Sequence, residues 1–172
     1  MSDIQNLLDE AAIRKLHLRY CRGVDRLDWE LVRACYHPEG IDDHGSYKGG
    51  VEGFIAWASA GLPRFASTAH FTGNQLVEVD GDRAWAEHYA VVFHRRSASA
   101  EAPEADLIVN VRYVDRLEKR GGEWRILNRV VIADSDRVDV IGGHWLDMAT
   151  ITTGQRDPSD ASYASLPRQS GA

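Results

Sequence analysis

RAWAEHYAVVFHRR, residues 83–96, is the stretch that decides the fold, because its side chains alternate between two kinds of surface. Successive side chains of a β-strand point to opposite faces of the sheet. One face of this predicted strand carries Ala84, Ala86, His88, Ala90, Val92 and His94. The other face carries Trp85, Glu87, Tyr89, Val91, Phe93 and Arg95. A close-packed core needs large apolar side chains. Alanines beside histidines therefore predict a pocket for a small molecule with titratable groups in its wall.

The segments on either side of this strand predict an α+β fold. Amphipathic patterns predict helices over residues 3–23, Trp29–Tyr36 and Val51–Leu62, with a short strand over Ile41–Tyr47. Three further long strands are predicted over Ser67–Val79, Ala105–Glu118 and Glu123–Ala133. The sequences DGD at 80–82 and RGG at 120–122 have the turn chemistry of tight hairpins. Helices followed by an antiparallel meander are typical of an α+β domain whose strands curl under the helices.

Length and composition indicate one globular domain. We expect residues 1–150 of the 172 to form it, and residues 151–172 to form a polar C-terminal extension that Tyr163 and Leu166 dock locally. The net charge of −6 argues against a nucleic-acid partner. No apolar run approaches the ~20 residues that span a membrane, and the N-terminus lacks a signal-peptide pattern. We therefore expect a cytoplasmic protein in which Cys21 and Cys35 are buried thiols.

Asp25 and His70 are candidate acid–base residues, although each also has an ordinary structural interpretation. Asp25 follows the first predicted helix, where the negative end of the helix dipole favours a carboxylate that holds a proton. The alternative is a turn aspartate beside Arg22 or Arg26. His70 lies near the start of a predicted strand and is either a general acid or base or a half-buried strand histidine.

The two histidines of the opening strand differ in their surroundings. His88 lies between alanines near the middle of the strand, which favours a pocket position. His94 lies near the end and precedes two arginines, which favours exposure to solvent. The seven histidines of the chain form no His-x-His or His-Glu-x-x-His pattern, so we predict no metal site.

Two tyrosines and one arginine complete the candidates. Tyr20 and Tyr47 are potential hydroxyl donors to a ligand, with packing in the core or at an interface as the alternative. Arg129 lies in the last predicted strand. It could bind an anionic substrate group, pair with Asp25, or simply lie on the surface.

Several segments together resemble the SnoaL-like branch of the nuclear transport factor 2-like superfamily. The resemblance covers residues 5 to 135. It rests on Tyr20-x4-Asp25, Asp28-Trp29, His70-Phe71-x-Gly73-Asn74, Asp80-Gly81-Asp82 and Gly122-Glu123-Trp124-Arg125-Ile126. It implies a curved antiparallel sheet that wraps around the N-terminal helices as a cone-shaped α+β barrel, with the ligand held in the mouth of the cone.

Within this branch the chain is similar to scytalone dehydratase, bile-acid dehydratase and lindane dehydrochlorinase. The similarity implies an Asp–His pair at Asp25 and His70 and a second catalytic histidine at His88. It also implies substrate contacts, and these fall on Tyr20, Tyr47, Asn110 and Arg129. Two tyrosines of scytalone dehydratase are replaced here by Val24 and Asp43, so scytalone itself is not the expected substrate.

The resemblance implies a lyase that needs no cofactor, namely a dehydratase for a small hydrophobic carbonyl compound of the polyketide, aromatic or steroid type. His70, oriented by Asp25, would remove a proton beside the carbonyl, and His88 or Tyr20 would donate a proton or hydrogen bond. A related isomerase or cyclase, a non-catalytic binding protein and the small subunit of a ring-hydroxylating dioxygenase are the alternatives. The resemblance also implies a homodimer or homotrimer associated through the outer face of the sheet, which here carries Trp85, Tyr89, Val91 and Phe93.

Overall fold

Three helices occupy the first part of the chain. In the computed structural model, which describes residues 3–164, they are α1 (Asp3–Asp25), α2 (Trp29–Ala34) and α3 (Val51–Gly61). Leu27 ends α1 in the left-handed region at φ 54°, and the next amide, of Asp28, donates to the carbonyl of Gly23 at 2.8 Å. This is the hydrogen bonding of a Schellman cap. The Asp28 side chain accepts from the Leu31 amide at 3.0 Å, which confirms it as the N-cap of α2.

Six strands form one mixed, unclosed sheet in the order β2-β1-β6-β5-β4-β3. The four long strands form the antiparallel meander that the sequence predicts, whereas β1 runs parallel to β6. The α+β class is confirmed, but the sheet is neither wholly antiparallel nor a closed barrel. The strands are β1 (Tyr36–Asp43), β2 (Lys48–Gly50), β3 (Ser67–Asp80), β4 (Arg83–Arg96), β5 (Ala105–Arg120) and β6 (Glu123–Val140).

The region between α2 and β2 differs most from the prediction. The predicted helix Trp29–Tyr36 is two residues too long, and the predicted strand Ile41–Tyr47 begins too late. Tyr36 instead opens β1 and pairs with Ile126 of β6, with an irregular register before Ile41. This pairing joins residues far apart in the chain, so the local pattern does not reveal it.

The alternation predicted for β4 is confirmed, but the consequence drawn from its alanines is wrong. Ala84, Ala86, His88, Ala90 and Val92 are all buried, and the alanines belong to the core cluster that includes α1 residues such as Ile13 and Leu16. The small side chains therefore give room to a helix rather than to a ligand. On the opposite face Tyr89 is exposed and its neighbours Trp85, Val91 and Phe93 are half-buried. Subunit association through that face stays a prediction.

The chain after the sheet returns to the helices. The described part of the predicted extension, residues 151–164, ends in the short 3-10 helix Ala161–Tyr163. The Arg22 guanidinium lies 4.7 Å from the ring centre of Tyr163 and donates to Ser162 Oγ at 3.0 Å, in agreement with the predicted docking by Tyr163. Leu166 lies outside the described residues. None of the described helices is long and apolar enough to cross a membrane.

Candidate active site

A cavity of about 480 Å³ opens between the helices and the concave face of the sheet. This volume lies within the range of ordinary small-molecule sites. Most of the wall is apolar and comes from α1, α3 and the four long strands, including Val24, Phe54, Ala58, Val92, Val111 and Val131. The polar groups in the wall are Tyr20, His44, Arg64, His70, His94 and Tyr113.

Asp25 and His70 lie together at this cavity. His70 Nδ1 is 2.7 Å from Asp25 Oδ1, and the backbone amide of His70 donates to Asp25 Oδ2 at 3.0 Å. Both side chains are largely buried, with 6% of His70 and 14% of Asp25 exposed. The carboxylate thus fixes the ring through Nδ1 and leaves Nε2 as the ring nitrogen available to a ligand.

The arginines near Asp25 are engaged elsewhere. Arg22 binds Ser162, and Arg26 Nε lies 3.7 Å from Asp160. The interpretation of Asp25 as a turn aspartate paired with a neighbouring arginine is therefore wrong. Arg156 of the C-terminal segment donates instead to the backbone carbonyl of Asp25 at 3.3 Å. It also donates to the carbonyls of Leu62 and Phe65 at 3.0 and 2.9 Å, so this segment fastens the end of α1 to the cavity rim.

Arg129 is fully buried beneath the cavity rather than exposed in it. Its guanidinium donates to both carboxylate oxygens of Asp115, at 2.7 and 2.6 Å, and lies 4.1 and 4.6 Å from the ring centres of Tyr20 and Tyr113. Its partner is thus Asp115, not Asp25 or a substrate anion as the sequence suggested. Burial opposes its charge, but Asp115 and Tyr36 outweigh this and hold the pKa of Arg129 well above its ordinary value.

His88, predicted to be the second catalytic histidine, lies in the core and not in the cavity wall. Its ring stacks on that of His17 with centroids 4.0 Å apart and planes 7° from parallel. Neither ring nitrogen of His88 has a hydrogen-bond partner among the described residues. His88 is kept out of the cavity wall by α1, because His17 of that helix covers this part of β4. No sequence pattern in β4 reveals that contact.

His17, His88 and Asp115 place three potential ligand atoms within 4.8 Å of one another. Nevertheless, the geometry fits a metal ion poorly. The lone pairs of imidazole nitrogens lie in the ring planes, so two parallel stacked rings do not converge on one ion. Moreover, both oxygens of Asp115 are bound by the Arg129 guanidinium, whose positive charge disfavours a cation at this place.

The buried His88 predicts a pH dependence of stability. Burial lowers the pKa of His88 to about 4, although Asp115 acts in the opposite direction. The folded protein therefore binds a proton at His88 less readily than the unfolded chain does. As the pH falls from about 6.5 towards 4, this difference lowers the free energy of unfolding by roughly 3 kcal/mol. We expect His88→Leu to reduce the slope of the unfolding free energy between pH 5 and 7, as measured by urea denaturation. His144→Gln, at an exposed histidine, is the control, and an unchanged slope in His88→Leu would contradict the assignment.

Tyr20 is the one predicted tyrosine that lines the cavity. Burial raises its pKa well above the ordinary value, which keeps the phenol protonated. Tyr47 is absent from the wall, because its hydroxyl donates to the Gly50 carbonyl at 2.6 Å and its ring packs on Phe54 and Trp57.

Asn110 and His94 also depart from their predicted positions. Asn110 donates to Ser135 Oγ at 2.8 Å and faces away from the cavity. Every second residue of β5 from Leu107 to Tyr113 lines the cavity, and Asn110 lies on the other face of the strand. His94, predicted to be exposed, is a wall residue with Nδ1 3.4 Å from the Leu107 carbonyl oxygen. Burial lowers the pKa of His94.

Three features of the site were missed by sequence reasoning. The first is Tyr113 of the interior strand β5, which lines the cavity. The second is Asp115, which binds the Arg129 guanidinium. His44, in the loop after β1, lines the cavity with Nδ1 in contact with the buried carboxylate of Asp42. Alternation along β5 could have suggested Tyr113. Asp43 and Gly45 mark the turn that carries His44, since Gly45 has φ 73° and its amide donates to Asp43 Oδ1 at 3.1 Å, but this signal does not reveal that His44 contacts Asp42.

The SnoaL-like domain family matches residues 5–130 of the chain. The chain belongs to this family. An uncharacterised protein of Mycobacterium tuberculosis (strain ATCC 25618 / H37Rv) is 26% identical over 134 residues, which cover 76% of this chain and 88% of the relative. The SnoaL-like resemblance and its fold are thereby confirmed.

Solved structures show the same SnoaL-like architecture. A hexachlorocyclohexane dehydrochlorinase, LinA-type3 from Novosphingobium barchaimii LL02, superposes with a TM-score of 0.72 at 19% identity, covering 84% of this chain and 99% of that one. A scytalone dehydratase candidate from Novosphingobium aromaticivorans DSM 12444 gives a TM-score of 0.71 at 18% identity, covering 83% and 99%. At these identities the likeness establishes the fold and not the reaction.

Proposed function

We propose that this SnoaL-like protein is a cofactor-independent dehydratase that acts by Asp–His acid–base chemistry on a small hydrophobic carbonyl compound. The observation that carries the proposal is the His70 ring, bound through Nδ1 to Asp25, in the wall of an apolar cavity. The cavity volume of about 480 Å³ suits an aromatic, polyketide or steroid-like substrate.

The role of His70 in the reaction follows from the ring nitrogen that Asp25 keeps protonated. A carboxylate that accepts the Nδ1 proton leaves a lone pair on Nε2, so the neutral ring acts as the base. Nε2 removes a proton from the carbon beside the substrate carbonyl, and the electron pair moves into the carbonyl as an enolate. When the enolate re-forms the carbonyl, its electron pair forms the carbon–carbon double bond. The β-hydroxyl takes a proton from an acidic side chain of the wall and leaves as water, and His70 releases its proton to solvent. The substrate carbonyl accepts the electrons, and side chains of this protein suffice for the proton transfers.

The wall also supplies donors for the enolate. Tyr20 and Tyr113 line the cavity, and burial raises the pKa of each phenol well above its ordinary value. Protonated phenols in a weakly solvated wall are effective donors to a developing oxyanion. The proposal accordingly places the substrate carbonyl near these two hydroxyls and its α-carbon near His70.

The names of the two structural relatives agree with this reaction class. Dehydrochlorinase and dehydratase both denote the loss of a small molecule across a carbon–carbon bond. Such agreement supports an elimination more than a simple binding role.

The proposal is tested with purified wild type and His70→Gln on a panel of β-hydroxy ketones and β-hydroxy thioesters built on aromatic and steroid skeletons. We expect wild type to release the α,β-unsaturated product. His70→Gln should still bind the same compounds, as measured by calorimetry, but its kcat should be lower by about 10²–10⁴-fold. Binding without turnover by wild type would favour a non-catalytic binding protein. Rearranged or cyclised product without loss of water would favour an isomerase or cyclase.

A further inference from the structure

We infer that His44, held by Asp42, is a second catalytic residue of this cavity and protonates the leaving hydroxyl after His70 has removed the α-proton. This inference rests on the proposed function and adds the group that completes the elimination. Sequence reasoning gave a comparable role to His88, which the structure places in the core.

His44 is fixed in the same way as His70, through its Nδ1 atom. That atom contacts Oδ1 of Asp42, whose side chain is 0% exposed. The second oxygen of Asp42 accepts a hydrogen bond from the Tyr36 hydroxyl at 2.6 Å. A fully buried carboxylate is costly unless both oxygens are engaged. Asp42 is therefore built into the core with its partners, and His44 is the partner that reaches the cavity.

The orientation of the His44 ring is further set by aromatic packing. It stacks on Phe54 of α3 with centroids 4.7 Å apart and planes 23° from parallel, and its centroid lies 5.9 Å from that of Trp57. With Nδ1 bound to Asp42, Nε2 is the ring nitrogen left for a ligand. His44 retains 17% exposure of its side chain and lines the cavity.

A carboxylate partner distinguishes His44 and His70 from the third histidine of the described cavity wall. His94 Nδ1 lies near a backbone carbonyl, 3.4 Å away, which orients the ring but carries no negative charge. A carboxylate stabilises an imidazolium, so a histidine bound to one can either accept a proton or hold one ready to donate. The cavity therefore contains two such groups.

The two histidines face the cavity from opposite sides. His70 belongs to β3 at one edge of the sheet, whereas His44 follows β1, on the far side of β4, β5 and β6. Tyr113 of the intervening β5 lies between them, with its ring centroid 6.4 Å from that of each histidine. The imidazole centroids thus cannot be further apart than twice this distance, and a substrate lying over Tyr113 can contact both.

The complete step balances with one base and one acid. Nε2 of neutral His70 takes the α-proton, and the C–H electron pair moves into the carbonyl as an enolate. When the carbonyl re-forms, that electron pair becomes the new carbon–carbon double bond. The bond from the β-carbon to oxygen breaks, and Nε2–H of protonated His44 gives its proton to the departing oxygen, so that water leaves. Proton exchange with solvent returns His70 to its neutral state and His44 to its protonated state.

The test separates proton removal from loss of water. In heavy water, His44→Gln is expected to keep exchanging deuterium into the α-position of recovered β-hydroxy ketone, while its elimination rate falls by about 10²–10⁴-fold. The deficit should shrink when the leaving group is acetate, which departs without a proton. His70→Gln should lose both exchange and elimination. The exposed His144→Gln serves as the matched histidine control and should behave as wild type.

Three results would overturn the inference. Full elimination activity in His44→Gln would show that the residue donates no proton. An equal loss of exchange and elimination in His44→Gln, with no improvement for acetate, would show a structural role only. A wild-type protein that neither exchanges nor eliminates any compound of the panel would refute the proposed function, and the inference with it. The first two leave the proposed function intact.

Discussion

Asp25→Asn is expected to lower kcat for elimination by about 10²–10⁴-fold while the protein stays folded. The carbonyl oxygen of the introduced amide can still accept the backbone N–H of His70, which Asp25 accepts at 3.0 Å. The nitrogen of that amide, however, would then face His70 Nδ1, where the carboxylate oxygen now lies at 2.7 Å. An amide donates at this position, so the ring would carry its proton on Nε2 and lose the lone pair needed by the base.

The measurement is steady-state kinetics on the best compound of the panel, with thermal unfolding to show that Asp25→Asn is folded. Its matched control is Asp28→Asn, because Asp28 caps α2 three residues away and asparagine caps helices equally well. We expect this control to keep its activity and melting temperature. If Asp25→Asn retained wild-type kcat, the carboxylate would have no part in the chemistry.

Asp115→Asn is expected to destabilise the protein by about 3–5 kcal/mol, the usual cost of leaving one partner of a buried ion pair alone. Arg129 and Asp115 are 0% and 1% exposed, and both oxygens of Asp115 are used by the guanidinium. Without the carboxylate, a full positive charge would remain beneath the cavity. The rings of Tyr20 and Tyr113 compensate this charge only in part, since cation–π contacts contribute about 2 kcal/mol when desolvated.

Urea denaturation at neutral pH measures this loss. The double variant Arg129→Met with Asp115→Leu should recover most of the stability, because it removes both charges and keeps apolar volume. Arg137→Gln breaks an exposed pair with Asp139 and should leave the unfolding midpoint unchanged. A change smaller than about 1 kcal/mol in Asp115→Asn would mean that water or structural relaxation compensates the buried guanidinium.

Much of the architecture could be predicted because it depends on local chemistry. The strand alternation of β4 and the hairpin turns with Gly81 and Gly121, at φ 62° and 60°, are properties of short segments. The family resemblance added the curved sheet and the nearness of Asp25 to His70. Both residues lie at points fixed by local signals, the end of a helix and the start of a strand.

The prediction was wrong wherever a residue's role depends on what lies across from it. Periodicity correctly assigned His88 to the concave face of β4, but it contains no information on where along the strand α1 covers that face. The stacked His17 ring fills the place that the alanines were expected to leave for a ligand. Similarly, the sequence left Arg129 as a partner of Asp25, a ligand of a substrate anion or a surface residue, and only the register of β5 against β6 shows that its partner is Asp115.

The sequence by itself therefore determined the α+β class, the buried and outer faces of the long strands and the Asp25–His70 candidates, because these depend on periodicity, turn chemistry and family resemblance. Only the tertiary structure decided which histidines reach the cavity. His88 is covered by α1, whereas the parallel pairing of β1 with β6 and the packing of α3 bring His44 to the wall. Side chains from segments distant in the chain pack together in the core, and the volume that they leave unfilled is the cavity.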